Sequence, residues 1–224
     1  MLTQKLRASH VDIWRFELNH PIWDDLSEEE ILEANAFHQA VHRMRFVSGR
    51  ATLKAILRQY VDLPNRVTFD KNAYGKLHLH AYPKLQFNLS HSKEHALVAV
   101  GYEHPVGIDL EHHQSVNIDE LAGMLYSPQE INHLKKFPTW MQQMVFFNLW
   151  SKKEAFIKAI GMGLSYPTQQ FSTTFGLRYM QTVEDWKIYA WMPSLHCSAA
   201  ICMHPSIETI REQCAIVDKG MFLR

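Results

Sequence analysis

The chain has 224 residues, 46% of them hydrophobic, enough for one large or two small packed domains. Its 23 basic and 23 acidic residues cancel, so no overall field recruits nucleic acid and any anion binding must be local. No apolar run is long enough to span a bilayer, and Met1-Leu-Thr-Gln-Lys is not a charged-then-apolar leader. Cys197, Cys202 and Cys214 are an odd set without CxxC spacing, which predicts reduced thiols in a cytoplasmic protein. Among 14 histidines there is no HExxH, and His78-Leu-His80 and His112-His113 read as surface residues rather than zinc ligands.

Val11 to Leu18 mixes apolar and polar residues as a strand does. Ser27-Glu-Glu-Glu30 is a capping box that opens a helix through about Ala40. A second helix covers roughly Met44 to Val61, and Pro64 bars its extension. Lys71-Asn-Ala-Tyr-Gly-Lys76 reads as a turn, with strand pieces around Leu77–Leu79 and Leu85–Leu89 after it. Ser90-His-Ser-Lys-Glu-His95 is polar, and Ala96 to Gly101 resumes as a buried strand. Val106-Gly-Ile-Asp-Leu-Glu111 follows as a strand, with Ile108 and Leu110 on one face and Asp109 and Glu111 on the other. Phe146 to Ile160 reads as a helix closed by Gly161, with Phe146, Leu149, Phe156, Ile157 and Ile160 on one core-facing arc. Trp150, Glu154 and Lys158 run along the edge of that arc at i, i+4 and i+8.

The chain also repeats itself. Tyr126-Ser-Pro-Gln-Glu-Ile131 echoes Leu26-Ser-Glu-Glu-Glu-Ile31, and Lys153-Glu-Ala-Phe-Ile-Lys-Ala-Ile160 echoes Gly49-Arg-Ala-Thr-Leu-Lys-Ala-Ile56. Strands over Trp186–Met192 and His196–Met203 mirror Leu85–Leu89 and Ala96–Val100. The order predicts an α+β fold of two similar halves, 1–103 and 104–224, related by a pseudo-twofold axis. Each half is expected to pack a helix on a small antiparallel sheet, with the ligand site in the cleft between them. Glu154 then occupies the place of Arg50, so the cleft has a carboxylate on one side and a basic group on the other.

Neighbouring carboxylates at Asp109 and Glu111 repel unless a cation, a proton or solvent relieves them. Mg²⁺ accepts one to three carboxylates and keeps its other positions for water and phosphate oxygens. If the helix packs on the acidic strand, Glu154 supplies a third oxygen and Lys158, one turn on, lies where a phosphate would sit. Taken alone, the Glu154–Lys158 pair reads as a solvated helix pair worth only ~0.3 kcal/mol. Arg50, Lys54 and Arg58, widened by Arg45 and Arg43, read alone as a solvated face, although a guanidinium fork also suits a terminal phosphate. Asn88-Leu-Ser-His-Ser92 puts a hydroxyl and an imidazole at a strand end, as a phosphate contact or as an ordinary turn.

Together, Phe87-Asn-Leu-Ser-His-Ser92, Val106-Gly-Ile-Asp-Leu-Glu111 and Trp150-Ser-Lys-Lys-Glu-Ala-Phe-Ile-Lys158 closely resemble the Sfp-type 4′-phosphopantetheinyl transferases. The resemblance covers nearly the whole chain, including Tyr74-Gly75-Lys76 and the turn from Gly161 to Ser165. It implies transfer of the phosphopantetheine arm of coenzyme A to a serine of an apo acyl carrier protein or peptidyl carrier domain, by a monomeric pseudodimer. It makes Asp109, Glu111 and Glu154 the Mg²⁺ ligands, Glu154 also the base, and Lys158 the contact to the pyrophosphate. Ser90, His91, Gly75 and Lys76 match coenzyme A contacts, and Arg45 and Arg50 are candidates for its 3′-phosphate. The chain departs from the pattern at Leu77, where many relatives have Pro, at Met162, where Lys is common, and at Glu30 and Glu33, near basic positions of some relatives. A phosphoanhydride hydrolase and a silent coenzyme A or carrier binder are the competing readings. Met124, Leu125 and Tyr126 are candidates for carrier contact, and also for core.

Overall fold

A computed structural model describes residues 6–218 and 221–223, with side chains over 6–215. The opening residues 1–5, read above as lacking a leader, lie outside it. The first half of the chain runs β1 (His10–Glu17), α1 (Glu28–Asn35), α2 (Ala40–Leu57), the short pair β2 (Asp70–Lys71) and β3 (Leu77–His78), then β4 (Leu85–Ser92) and β5 (His95–Tyr102). The second runs β6 (Val106–His112), α3 (Ile118–Leu125), α4 (Pro128–Leu134) and α5 (Thr139–Ile160). Strands β7 (Tyr179–Val183), β8 (Trp186–Ser194), β9 (Cys197–Met203), β10 (Thr209–Cys214), β11 (Ile216–Asp218) and β12 (Met221–Leu223) complete it.

Two four-stranded sheets carry this mixed α+β fold, in the orders β10-β1-β5-β4 and β6-β9-β8-β7. All pairings within them are antiparallel except β10, which lies parallel to β1, so residues 209–214 finish the sheet of the first half. No helix among the described residues is long and apolar enough to cross a membrane.

The capping box at Ser27 forms, and its echo at Ser127 forms a second: Ser27 and Ser127 each accept from the backbone three residues on, and Glu30 and Glu130 reach back to the Ser backbone at 2.9 Å. The first helix stops at Asn35 rather than near Ala40, and the second starts at Ala40 and ends at Leu57. The break lets Phe37 fold back on Phe46 of α2, ring centroids 5.5 Å apart, a tertiary contact that no local propensity encodes. Strand β4 continues through Ser90 and His91 to Ser92, and the chain reverses at Lys93, whose φ is 53°. Helix α5 begins right after Pro138, a turn and more before Phe146, and Gly161 closes it in the left-handed region at φ 75°. Its apolar arc divides between two cores. Phe146 and Leu149 meet Tyr126 and Leu134, whereas Phe156 and Ile157 meet Ile188, Ala190 and Cys202.

One contact positions the rest. Helix α5 lies so close on β6 that a Cβ at Gly107 would overlap the Ala155 carbonyl and the Ala159 backbone. Glycine lets the two backbones touch. By the alternation of a strand, the Gly107 face also carries Asp109 and Glu111. Val106, Ile108 and Leu110 point the other way, into a core with Val11, Ile13, Leu97 and Ile201. Replacing Gly107 by Ala should therefore destabilise the fold by about 3 kcal/mol or more, at the upper end of overpacking costs; denaturant titration measures it.

Candidate active site

The close packing at Gly107 brings α5 side chains over the acidic face of β6. Lys158 Nζ lies 2.5 Å from Asp109 Oδ1 and 3.9 Å from Glu154 Oε2. Ser90, from β4, donates to Asp109 Oδ1 at 2.9 Å and accepts from Lys158 Nζ at 3.1 Å and from the Leu110 backbone at 3.2 Å. Glu111 accepts from Trp150 Nε1 at 3.1 Å. Asp109 is buried, and among the described residues its second oxygen, Oδ2, has no hydrogen-bond partner. Among the described residues no three His, Cys, Asp or Glu side chains are already set as a metal-holding group. The Lys158 ammonium stands among these carboxylates instead, as the cation that offsets them.

The electrostatics follow from that crowding. Burial pushes Glu111 up to about 7, with Asp109 adding to the effect, and burial likewise pushes Glu154 up to about 7. Burial works against the charge on Lys158, but Asp109 and Glu154 outweigh it and hold its pKa above the ordinary lysine value. The site thus holds more negative charge than one ammonium can balance.

Beside this cluster, Arg45, Arg50, Gly75, Lys76, Ser90, His91 and Lys158 all line one pocket of about 330 Å³. The sequence reading placed these residues at coenzyme A, and the fold brings them together from α2, the β2–β3 turn, β4 and α5. They are not equivalent. His91 lies at the open side, its pKa lowered by desolvation first and by Lys158, Arg45 and Arg50 as well. Arg50 rests on the Phe46 ring at 5.1 Å, with its guanidinium 3.9 Å from Glu30. Lys76 donates to the carbonyls of Val106 and Ala159, both at 3.0 Å, and burial pulls its pKa down to about 8. With Asn72 donating to the Gly161 carbonyl at 2.8 Å, it fastens the end of α5 to the first half.

Two expectations are corrected here. The stripe Arg50, Lys54, Arg58 is not a solvated face: Lys54 is fully buried on Glu30, and Arg58 grips both oxygens of Asp25 at 2.6 Å. Of the residues read as core or carrier contact, Tyr126 is core as expected, donating to the Phe146 carbonyl, whereas Met124 is 66% exposed and not core. The Trp150–Glu111 bond escaped the sequence reading. Its only signal was that Trp150 shares the helix edge of Glu154 and Lys158.

The 4′-phosphopantetheinyl transferase superfamily matches this chain over residues 105–192, the span that holds β6 and α5. The chain is 34% identical over 211 residues to the 4′-phosphopantetheinyl transferase HetI of Nostoc sp., covering 88% of this chain and 89% of that one. To the 4′-phosphopantetheinyl transferase Sfp of Bacillus subtilis (strain 168) it is 31% identical over 157 residues, 70% of this chain and 69% of the other. A further 4′-phosphopantetheinyl transferase of Bacillus subtilis matches at 39% over 148 residues, 66% and 65% of the two chains. The chain belongs to the 4′-phosphopantetheinyl transferase superfamily.

A pH dependence follows from the raised carboxyl groups. Their folded pKa values of about 7 lie above the ordinary glutamate value of 4.5, so the folded state binds more protons between those limits. The stability they contribute is full below about pH 4.5 and is lost as pH rises through 7. In chelator, Glu111→Gln should raise the melting temperature at pH 8 by on the order of 2–4 °C and leave it nearly unchanged at pH 5; scanning calorimetry at both pH values checks this.

Proposed function

We propose that the chain transfers the 4′-phosphopantetheine arm of coenzyme A to a serine of an apo acyl carrier protein or peptidyl carrier domain, releasing adenosine 3′,5′-bisphosphate. The observation that carries this reading is the junction of the Asp109–Lys158–Glu154 cluster with a basic pocket, the two sharing Ser90 and Lys158. Transfer of a phosphoryl-linked group asks for alignment and charge neutralisation, and both halves of that task have residues here.

Arg45, Arg50 and His91 face the pocket where the nucleotide phosphates would lie, Arg45 with its guanidinium 3.8 Å from Glu94. Lys158 stands between pocket and carboxylates, placed to balance charge on the departing pyrophosphate oxygen. Glu154, on the helix edge beside Lys158 and over the acidic strand, is placed as the base that takes the proton of the carrier serine, directly or through one water. The serine oxygen then forms its bond to the β-phosphorus as the bond to the bridging oxygen breaks. Such a base contributes about 10²–10⁴-fold.

The residues also fit Mg²⁺, with Asp109, Glu111 and Glu154 as its holders. The partnerless Asp109 Oδ2 and two carboxyl groups raised to about 7 are what a missing divalent charge would leave behind. When bound, the ion would supply positive charge to the pyrophosphate oxygens.

We further read residues 1–103 and 104–224 as related halves with the site in the cleft between them, acting as one cytoplasmic monomer. Strand, helices and hairpin recur in the same order, and β1-β5-β4 in one sheet corresponds to β6-β9-β8 in the other. Each half also has its capping-box glutamate on a buried lysine, Glu30 on Lys54 and Glu130 on Lys153, although the repeat aligns Lys54 with Lys158 and Lys153 with Gly49. Exposed Met124 is a candidate contact for the carrier.

Incubation with coenzyme A, Mg²⁺ and a panel of apo carriers should add the mass of one phosphopantetheine arm to the carrier serine. Asp109→Ala and Glu154→Ala should each lower that rate by at least about 10²-fold while circular dichroism stays native; either variant at wild-type turnover in Mg²⁺ removes the metal assignment. His91→Ala should weaken coenzyme A binding by about tenfold in calorimetry, consistent with loss of one charge-assisted hydrogen bond.

A further inference from the structure

Among the described residues, strand β6 is an edge of its sheet, with β9 on one side only. An edge strand presents every second backbone N–H without a ladder partner, and a buried N–H needs one. The missing acceptors come from side chains of β4, the edge strand of the other sheet. Asn88 Oδ1 accepts from the Ile108 N–H at 2.8 Å, Ser90 Oγ from Leu110 at 3.2 Å, and Ser92 Oγ from His112 at 3.0 Å. Each rung spans 20 residues, so the two strands run parallel and in register. Three polar side chains at period two thus take the place of a backbone ladder between the halves.

We propose that Asn88, Ser90 and Ser92 form a side-chain lock that fixes β6, and with it Asp109 and Glu111, against the coenzyme A pocket, making them positioning residues for transfer. This rests on the function proposed above for that pocket. The middle rung shows how the lock acts. Ser90 saturates its hydroxyl on the Leu110 backbone, the Asp109 carboxylate and the Lys158 ammonium, so strand position and charge position are set by one atom. The outer rungs hold the strand on either side of it. Short side chains serve here because they have few rotamers to lose and carry an acceptor close to the backbone. His91, between the middle and outer rungs on β4, takes no part in them and lines the pocket together with Asn88 and Ser90.

Ser92 separates this role from direct catalysis. It does not line the pocket, and among the described residues its hydroxyl bonds only to His112. Ser92→Ala should lower kcat about fivefold with KM for coenzyme A within about twofold, as expected for a lost hydrogen bond that aligns rather than binds. Hydrogen exchange followed by mass spectrometry should speed up over residues 108–112 while β1 and β5 keep their protection. Ser92→Thr, which keeps the hydroxyl, should restore both, and Asn88→Leu combined with Ser92→Ala should deepen both. Unchanged exchange at 108–112, a rise spread evenly over both sheets, or local loosening with wild-type kcat would each overturn the proposal. If the wild-type protein labels no carrier, the function proposed above fails instead, and exchange in Ser92→Ala and Ser92→Thr still decides whether the lock exists.

Discussion

The structure depends on the contact of two backbones, helix α5 on strand β6 at Gly107. No side chain separates them there, so functional groups one or two residues further along each element must meet. Asp109 follows Gly107 on the same strand face, and Glu154 and Lys158 flank Ala155 and Ala159 on the helix. The carboxylates are then too many for the single ammonium among them. Burial first, and Asp109 in addition, raises Glu111 and Glu154 toward neutrality, and among the described residues one oxygen of Asp109 has no partner. A site kept in this state is poised to accept positive charge and to exchange a proton near neutral pH.

The first half of the chain acts on this centre through polar groups rather than through a shared core alone. Lys76 and Asn72 hold the C-terminal turn of α5, Asn88, Ser90 and Ser92 hold β6, and Arg45 and Arg50 supply the basic side of the pocket. Strand β10 answers from the other direction by completing the first sheet. Under the two-halves reading, equivalent positions have been put to different uses. Lys54 is buried on Glu30 and serves the fold, whereas Lys158 meets Asp109 beside the pocket. Arg50 rests on an aromatic ring, whereas its counterpart Glu154 joins the acidic cluster.

Lysines show why burial cannot be read from residue type. Lys54, Lys152 and Lys153 are all buried, each with its ammonium on carbonyl or carboxylate oxygens. A solvated stripe and a set of buried anchors look the same as a pattern of i, i+4 positive charges. The acceptors that decide between them, such as the Asp25 carbonyl for Lys54 and the Thr174 carbonyl for Lys152, are distant in sequence and lie in segments with no signal of their own.

Much of the architecture was set locally and was legible in the chain itself. The Ser-x-x-Glu caps at 27 and 127, the left-handed stop at Gly161 and the alternation along Val106–Glu111 are short-range sterics and hydrogen bonding, which a linear sequence carries in full. Of the three motifs, the first and the third supply Ser90, His91 and Lys158 to one pocket, and the second lies beside it through Asp109. What the sequence left open was where each side chain spends its polar atoms. The ends of α1 and α2, the burial of Lys54, the Trp150–Glu111 bond and the bonds from β4 to β6 are all contacts across the fold. A donor chooses among acceptors by distance in space, and only the packed tertiary structure supplies that distance.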